Sequence, residues 1–329
     1  MKTYRIAKTD LTVSRIAYGC MKIGGTWDHA PVSAETEKAA QASVAAALDC
    51  GINFFDHADI YTAGKSEEVF GRILKATPGL RDRIVLQSKV GIRFPNDAYL
   101  SGEPTRYDFS HSHIIRSTEA ILRRLQVSHL DILLLHRPDP LVEPAEVARA
   151  FDALQASGKV RHFGVSNHTP GQIELLRRHL RQPLVANQLE FSLAQHALVS
   201  EGFSANQSGT GATSALATGL LDYCRLNEIS VQAWSPVGGG KLLRTAADAT
   251  AANPLHPAAD LVAKLAKAKA TTAEGILLAW ILHHPAGIQP IVGTTKADRV
   301  RTSAQADEVT LTREEWYALL AAARGKSVP

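Results

Sequence analysis

Asn53-Phe54-Phe55-Asp56-His57-Ala58-Asp59-Ile60-Tyr61 decides how the chain is read. Apolar residues run up to Asp56, as in a buried strand that delivers a carboxylate to its C-terminal edge. Tyr61 follows in the loop or first helical turn beyond that edge. Two further apolar runs end the same way: Ile84-Val85-Leu86-Gln87-Ser88 leads to Lys89, and Leu130-Asp131-Ile132-Leu133-Leu134-Leu135 leads to His136. Asp, Tyr, Lys and His at three strand ends make a set for moving protons. A phenol with a free pKa of about 10 is a poor acid, but a buried cation such as Lys89 stabilises its phenolate. Asp56 would hold that lysine and His136 would hydrogen-bond a carbonyl oxygen. A buried ion pair beside a core histidine would explain any one of these residues, but it explains all four together poorly.

Residues 3 to 13 alternate around Lys8-Thr9-Asp10 and predict a short hairpin. Buried strands are predicted at 14–18, 53–56, 84–88, 130–135, 160–165, 184–186, 229–233 and 288–292. Helical patterns fall between and after them, including 33–49, a helix from Ser66 with Ser66 as its cap, 112–125, 144–157, 170–180, 220–227, 258–268, 273–283, 297–306 and 313–323. Eight strands alternating with helices and no break in composition favour an α/β fold. The expectation is a single (β/α)8 TIM barrel with an N-terminal β-hairpin, residues 1–329 forming one domain. A doubly wound dinucleotide fold is the alternative, but Gly19-Cys20-Met21-Lys22-Ile23-Gly24-Gly25 does not supply the glycine turn it requires. The loop from Gly91 to Ser110 is long enough to expect a functional role. Ser200 to Thr218, rich in Gly, Ser, Ala and Thr, is expected to be a surface insertion.

Composition excludes several classes. With 45% hydrophobic and 21% charged residues in 329, the chain suits a globular protein with a large core. A net charge of +4 with scattered basic residues gives no support for nucleic-acid binding. No secretory leader and no membrane-spanning run is apparent, and three separated cysteines fit a reducing compartment, so a cytoplasmic location is expected. His111-Ser112-His113 and His283-His284 lack companion ligands for a metal, and Gly64-Lys65-Ser66 lacks the first glycine of a phosphate loop.

Asp56 with Tyr61, Lys89 after a strand, and His136 in Leu134-Leu135-His136-Arg137-Pro138 resemble the catalytic tetrad of the aldo-keto reductase family, bacterial oxidoreductases above all. Lys159 to Asn167, Asn187-Gln188-Leu189-Glu190, Ala233-Trp234-Ser235-Pro236 and Gly293-Thr294-Thr295 resemble that family too, in the same order along nearly the whole chain. The resemblance implies an NAD(P)H-dependent reductase of small-molecule carbonyl substrates on a (β/α)8 barrel, with Tyr61 as general acid, Lys89 and Asp56 tuning it and His136 orienting the carbonyl.

For the cofactor, the resemblance implies that Ser166, Asn167 and Gln188 hold the nicotinamide carboxamide and that Trp234 stacks on the ring. Gly19, Met21 and Asp56 are implied as further cofactor-binding residues. Ser235, Pro236, Val237, Gly239 and Lys241 would pass under the pyrophosphate, while Gly293, Thr294, Thr295, Lys296 and Arg299 would meet the adenosine and its 2′-phosphate. Arginine suits phosphate because its planar fork of donors matches the oxygens. Many family members carry a lysine where Gly293 stands and a Glu-Asn pair where Thr302 and Ser303 stand. NADPH is therefore expected over NADH by a smaller margin than the family norm. A cofactor-sensing subunit of a partner protein and a Schiff-base lyase using Lys89 are the competing functions. The sequence carries no reading of oligomeric state.

Overall fold

A computed structural model describes residues 1–95, 104–204, 218–243 and 255–329. A two-stranded antiparallel hairpin, β1 (Thr3–Arg5) and β2 (Thr12–Ser14), comes first. The barrel strands are β3 (Ala17–Gly19), β4 (Phe54–Asp56), β5 (Val85–Val90), β8 (Leu130–Leu135), β9 (Val160–Ser166), β10 (Leu184–Glu190), β11 (Ser230–Trp234) and β12 (Gln289–Val292). They lie in chain order and are parallel throughout. The ring closes where Ile291 and Val292 pair with Ala17 and Tyr18. A minor hairpin, β6 (Ile92–Arg93) with β7 (Arg106–Tyr107), rises from the end of β5. The helices are α1 (Ala34–Asp49), α2 (Lys65–Ala76), α3 (His111–Leu125), α4 (Pro144–Ala156), α5 (Pro170–Arg177), α6 (Ala197–Ser204), α7 (Leu220–Leu226), α8 (His256–Ala268), α9 (Ala273–Leu282), α10 (Ala297–Ala304) and α11 (Arg313–Arg324). None of the described helices is long and apolar enough to cross a membrane.

Strand side chains alternate in direction, and this alternation positions the polar groups. Phe54, Val85, Ile132, Leu134, Ala186 and Ile291 point into the barrel, where they pack with Ile6, Leu11 and Val13 of the hairpin, which plugs the barrel's N-terminal mouth. Phe55, Leu86, Leu133, Leu135, Val231 and Ala233 point outward into the helix-facing core. Two residues on from the inward set come Asp56, Gln87 and then Lys89, His136, Gln188 and Gly293. Gln232 and Trp234, out of phase with Val231 and Ala233, also face inward. An apolar plug below and polar residues above thus follow from one period-two pattern, and the polar layer lies at the C-terminal strand ends, where barrels of this kind build their sites.

Four stretches differ locally from expectation or lie partly outside the described residues. The predicted strand 14–18 divides: Ser14 ends the hairpin, its hydroxyl bonding to Ile16 O, and the barrel strand begins at Ala17. Ser66 does not cap α2. The chain turns at Gly64 (φ 86°), and Ser66 lies inside the helix with its hydroxyl against Met21 O and Thr62 Oγ1. The Gly91–Ser110 stretch carries regular structure at both ends through β6 and β7; its residues 96–103 lie outside the described residues. Of the expected 200–218 insertion, residues 205–217 also lie outside them, while its start belongs to α6.

Candidate active site

Lys89 is the centre of the polar layer. Its side chain is completely buried, and its ammonium spends all three donors: on Asp56 Oδ2 at 2.7 Å, on His57 O at 2.8 Å and on Tyr61 Oη at 2.8 Å. Asp56 Oδ1 accepts from Gln87 Nε2 at 2.7 Å and Gln188 Nε2 at 3.0 Å, so the carboxylate is bonded through both oxygens. Gln232 Oε1 ties the two glutamines together, accepting from Gln87 at 2.8 Å and from Gln188 at 3.1 Å. Gln87 and Gln232 are the members that sequence reasoning missed. Their only signal was a glutamine within the strand, two residues before Lys89 in one case and before Trp234 in the other.

Tyr61 opens a single 3-10 turn, Tyr61–Gly64, in which Thr62 (φ 49°) and Ala63 (φ 57°) both take left-handed backbone conformations. Two such residues in succession cost of order 1–3 kcal/mol each, and strain of this kind gathers where a side chain must be aimed. Here it turns the Tyr61 ring to stand edge-on to His136, at 6.0 Å between ring centres and 82° between planes. Asn167 (φ 61°) and Ser235 (φ 51°) carry the same strain at the ends of β9 and β11. Asn167 Nδ2 donates to His136 O at 3.2 Å and to Ser166 Oγ at 2.9 Å, and its Oδ1 accepts from Trp234 Nε1 at 3.0 Å. The indole is thereby locked in orientation, with the Arg137 guanidinium 5.9 Å from its ring centre.

Electrostatics follow from burial. Burial alone would lower the pKa of Lys89, but Asp56 and Tyr61 outweigh it and the pKa is raised, so the ammonium persists. Burial raises the Tyr61 phenol; Lys89 pulls it down, Asp56 pushes it up, and the balance stays above the ordinary value. The lysine thus tempers the tyrosine without ionising it, and Tyr61 keeps its proton at neutral pH. A lysine held charged and fully hydrogen-bonded is a poor imine-forming nucleophile, which weighs against the lyase alternative. Burial holds His136 neutral, its pKa well below 6.5, with the charges of Lys89 and Arg137 acting in the same direction.

Two further histidines beneath the site are buried and neutral. Burial pushes His57 down to about 3; neither ring nitrogen has a hydrogen-bond partner, and the ring packs edge-on against Phe70 at 4.7 Å. Burial likewise takes His168 down to about 4 against the effect of its bond to Ser166 O. Lowered histidine pKa values stabilise the fold fully above the unfolded value of 6.5, and the benefit is lost as pH falls toward the folded value. Each of the two should therefore cost about 2 kcal/mol of stability on going from pH 7 to pH 5. Urea midpoints measured across that range should fall steeply, and His57→Leu should flatten the slope. Parallel slopes for the two proteins would refute the assignment.

Above this layer lies one continuous cleft of about 1290 Å³. It is lined by Gly19, Met21, Asp56, Tyr61, His136, Ser166, Asn167, Gln188, Trp234, Ser235, Pro236, Val237, Gly239, Lys241, Gly293, Thr294, Thr295, Lys296 and Arg299. The structure therefore brings every candidate residue to one cleft except Lys89, which lies beneath its floor. Gly19 is required by the close pairing of β3 with β12, since a Cβ there would meet Ile291 Cγ2 at 2.9 Å. Gln188 reaches the cleft with its amide nitrogen already committed to Asp56 and Gln232. Lys22, Trp27, Phe94, Arg137 and Glu274 also line the cleft and escaped the sequence reading as site residues or, for Trp27, had only a general part in shaping the pocket. Trp27 and Phe94 are half exposed and meet edge to face at 6.5 Å, forming an aromatic lip.

A closed parallel barrel with a Lys-Asp-Tyr-His cluster and a long cleft at its C-terminal face defines a barrel oxidoreductase. The profile of the aldo/keto reductase family matches residues 15–324, and the chain belongs to that family. It is 39% identical over 325 residues to a 6-dehydroglucose reductase of Agrobacterium fabrum, covering 98% of this chain and 99% of that protein. Among solved structures it is similar to a glycerol dehydrogenase of Gluconobacter oxydans, with 26% identity, a TM-score of 0.79 and coverage of 97% and 94% of the two chains. It is also similar to an aldo-keto reductase of Klebsiella pneumoniae in complex with NADPH, with 28% identity, a TM-score of 0.74 and coverage of 100% and 96%.

Proposed function

We propose that this chain, as one domain of residues 1–329, reduces an aldehyde or ketone to an alcohol with NADPH, Tyr61 being the proton donor. The observation that carries the reading is the Lys89 ammonium bridging Asp56 Oδ2 and Tyr61 Oη at 2.7 and 2.8 Å below the cleft floor. The donor set fits a nicotinamide dinucleotide. Amides and hydroxyls of Asn167 and Ser166 stand beside an indole fixed by a hydrogen bond, a glycine turn at 238–240 follows β11, and Lys296 and Arg299 supply cations beyond. Bound NADPH would supply the hydride to the carbonyl carbon. A neutral His136 donates a hydrogen bond to the carbonyl oxygen, and the Tyr61 hydroxyl gives its proton to that oxygen as negative charge develops there. Lys89 stabilises the phenolate left behind until solvent restores its proton.

The substrate class we favour is a small sugar-derived aldehyde. The name of the Agrobacterium relative supports it, and so does the Trp27–Phe94 lip, because the apolar faces of sugars stack on aromatic rings. Loss of NADPH absorbance with a panel of aldehydes and ketones tests the proposal. Sugar aldehydes should give the highest kcat/KM. Consumption of none of the panel would reject the reductase, and a clear preference for aromatic aldehydes would reject the substrate class alone.

A further inference from the structure

Glu274 is a carboxylate in the cleft that the reduction chemistry does not use. It is the second residue of α9, and its Oε1 accepts a hydrogen bond from Arg299 Nη2 at 2.7 Å. Arg299 belongs to α10, which follows the Thr294–Lys296 segment at the end of β12, so residues of two different helices meet at the cleft rim. The Glu274 side chain is 21% exposed and that of Arg299 47%, leaving the guanidinium open to solvent on one side.

We propose that Glu274 is a specificity-determining residue that narrows the preference for NADPH over NADH. The inference rests on reading the cleft as a nicotinamide dinucleotide site. A 2′-phosphate carries close to two negative charges at neutral pH. Arg299 has donors enough to meet a phosphate and the Glu274 carboxylate together, but both anions then crowd one cation and repel each other. A 2′-hydroxyl brings no charge and can donate a hydrogen bond to the carboxylate. Glu274 therefore opposes one nucleotide and accommodates the other, even though Arg299 lies beside it and Lys296 lines the same cleft. An ordinary surface ion pair on the first turn of a helix would have no such effect on nucleotide choice.

The test is the ratio of dissociation constants, Kd(NADH)/Kd(NADPH), measured by tryptophan fluorescence for the wild-type chain, Glu274→Gln and Glu274→Ala. Far-UV circular dichroism and melting temperature serve to check folding. Both substitutions should raise the ratio about tenfold, mainly by tightening NADPH, and the gain should shrink at high salt because the repulsion is partly exposed. Competition by 2′,5′-ADP against 5′-AMP should shift in the same direction. A ratio that falls or stays within about twofold, with both nucleotides still binding, overturns the role of Glu274 alone. Failure of the wild-type chain to bind either nucleotide overturns the dinucleotide site, and this inference with it.

Discussion

Tyr61→Phe should lower kcat by about 10²- to 10⁴-fold while leaving the NADPH dissociation constant within about twofold. The substitution removes one oxygen and keeps the ring that stands edge-on to His136, so the cleft keeps its shape. Lys89 then loses one of three acceptors but keeps Asp56 and the His57 carbonyl, and it stays charged. A purely structural tyrosine would give a destabilised enzyme of nearly normal turnover. Single-turnover measurement with a saturating aldehyde separates the cases: a chemical step as fast as in the wild-type chain would remove Tyr61 from the role of acid.

Lys89→Met should have the largest effect on stability, about 3–5 kcal/mol, because it strands the Asp56 carboxylate inside the barrel with only two amide donors. Turnover should vanish as well, since the phenolate of Tyr61 loses the charge that stabilises it. Asp56→Asn should be costly for the converse reason, leaving a buried ammonium with neutral partners. The double variant, Lys89→Met with Asp56→Asn, should recover most of the stability and none of the activity. Urea unfolding of the four proteins gives the coupling energy between the two sites. Additive losses would mean that the pair is not the electrostatic unit described here, and activity in the double variant would mean that it is not needed for the reaction.

Much of this site was legible in the sequence because strand ends are readable. An apolar run that stops at a carboxylate, a lysine or a histidine states its position in a barrel directly, and Asp56, Lys89 and His136 were found that way. The eight strands and the helices between them followed from the same periodicities. What the sequence concealed were contacts between residues far apart in the chain that carry no local pattern. Gln87 and Gln232 are 145 positions apart and meet only because the barrel closes. Arg299 reads as a free phosphate ligand until the fold sets Glu274 beside it. The Ser66 cap failed because Thr62 and Ala63 take strained conformations that end the turn two residues early, and nothing in Tyr-Thr-Ala-Gly announces that strain. The direction of the Tyr61 shift was also hidden, since the lysine is visible in sequence and the burial that outweighs it is not.

Titration of the wild-type chain and Trp234→Leu with NADPH, following tryptophan fluorescence with calorimetry alongside, decides whether the cleft holds the dinucleotide. Of the 4 tryptophans, Trp280 and Trp316 are buried in the helical layer and Trp27 sits at the lip, leaving Trp234 fixed by Asn167 inside the cleft. Saturable quenching by one NADPH per chain is expected, largely lost in Trp234→Leu, with heat of binding still measurable for both proteins. Absence of binding in the wild-type chain, or quenching untouched by the loss of Trp234, would contradict that reading of the cleft.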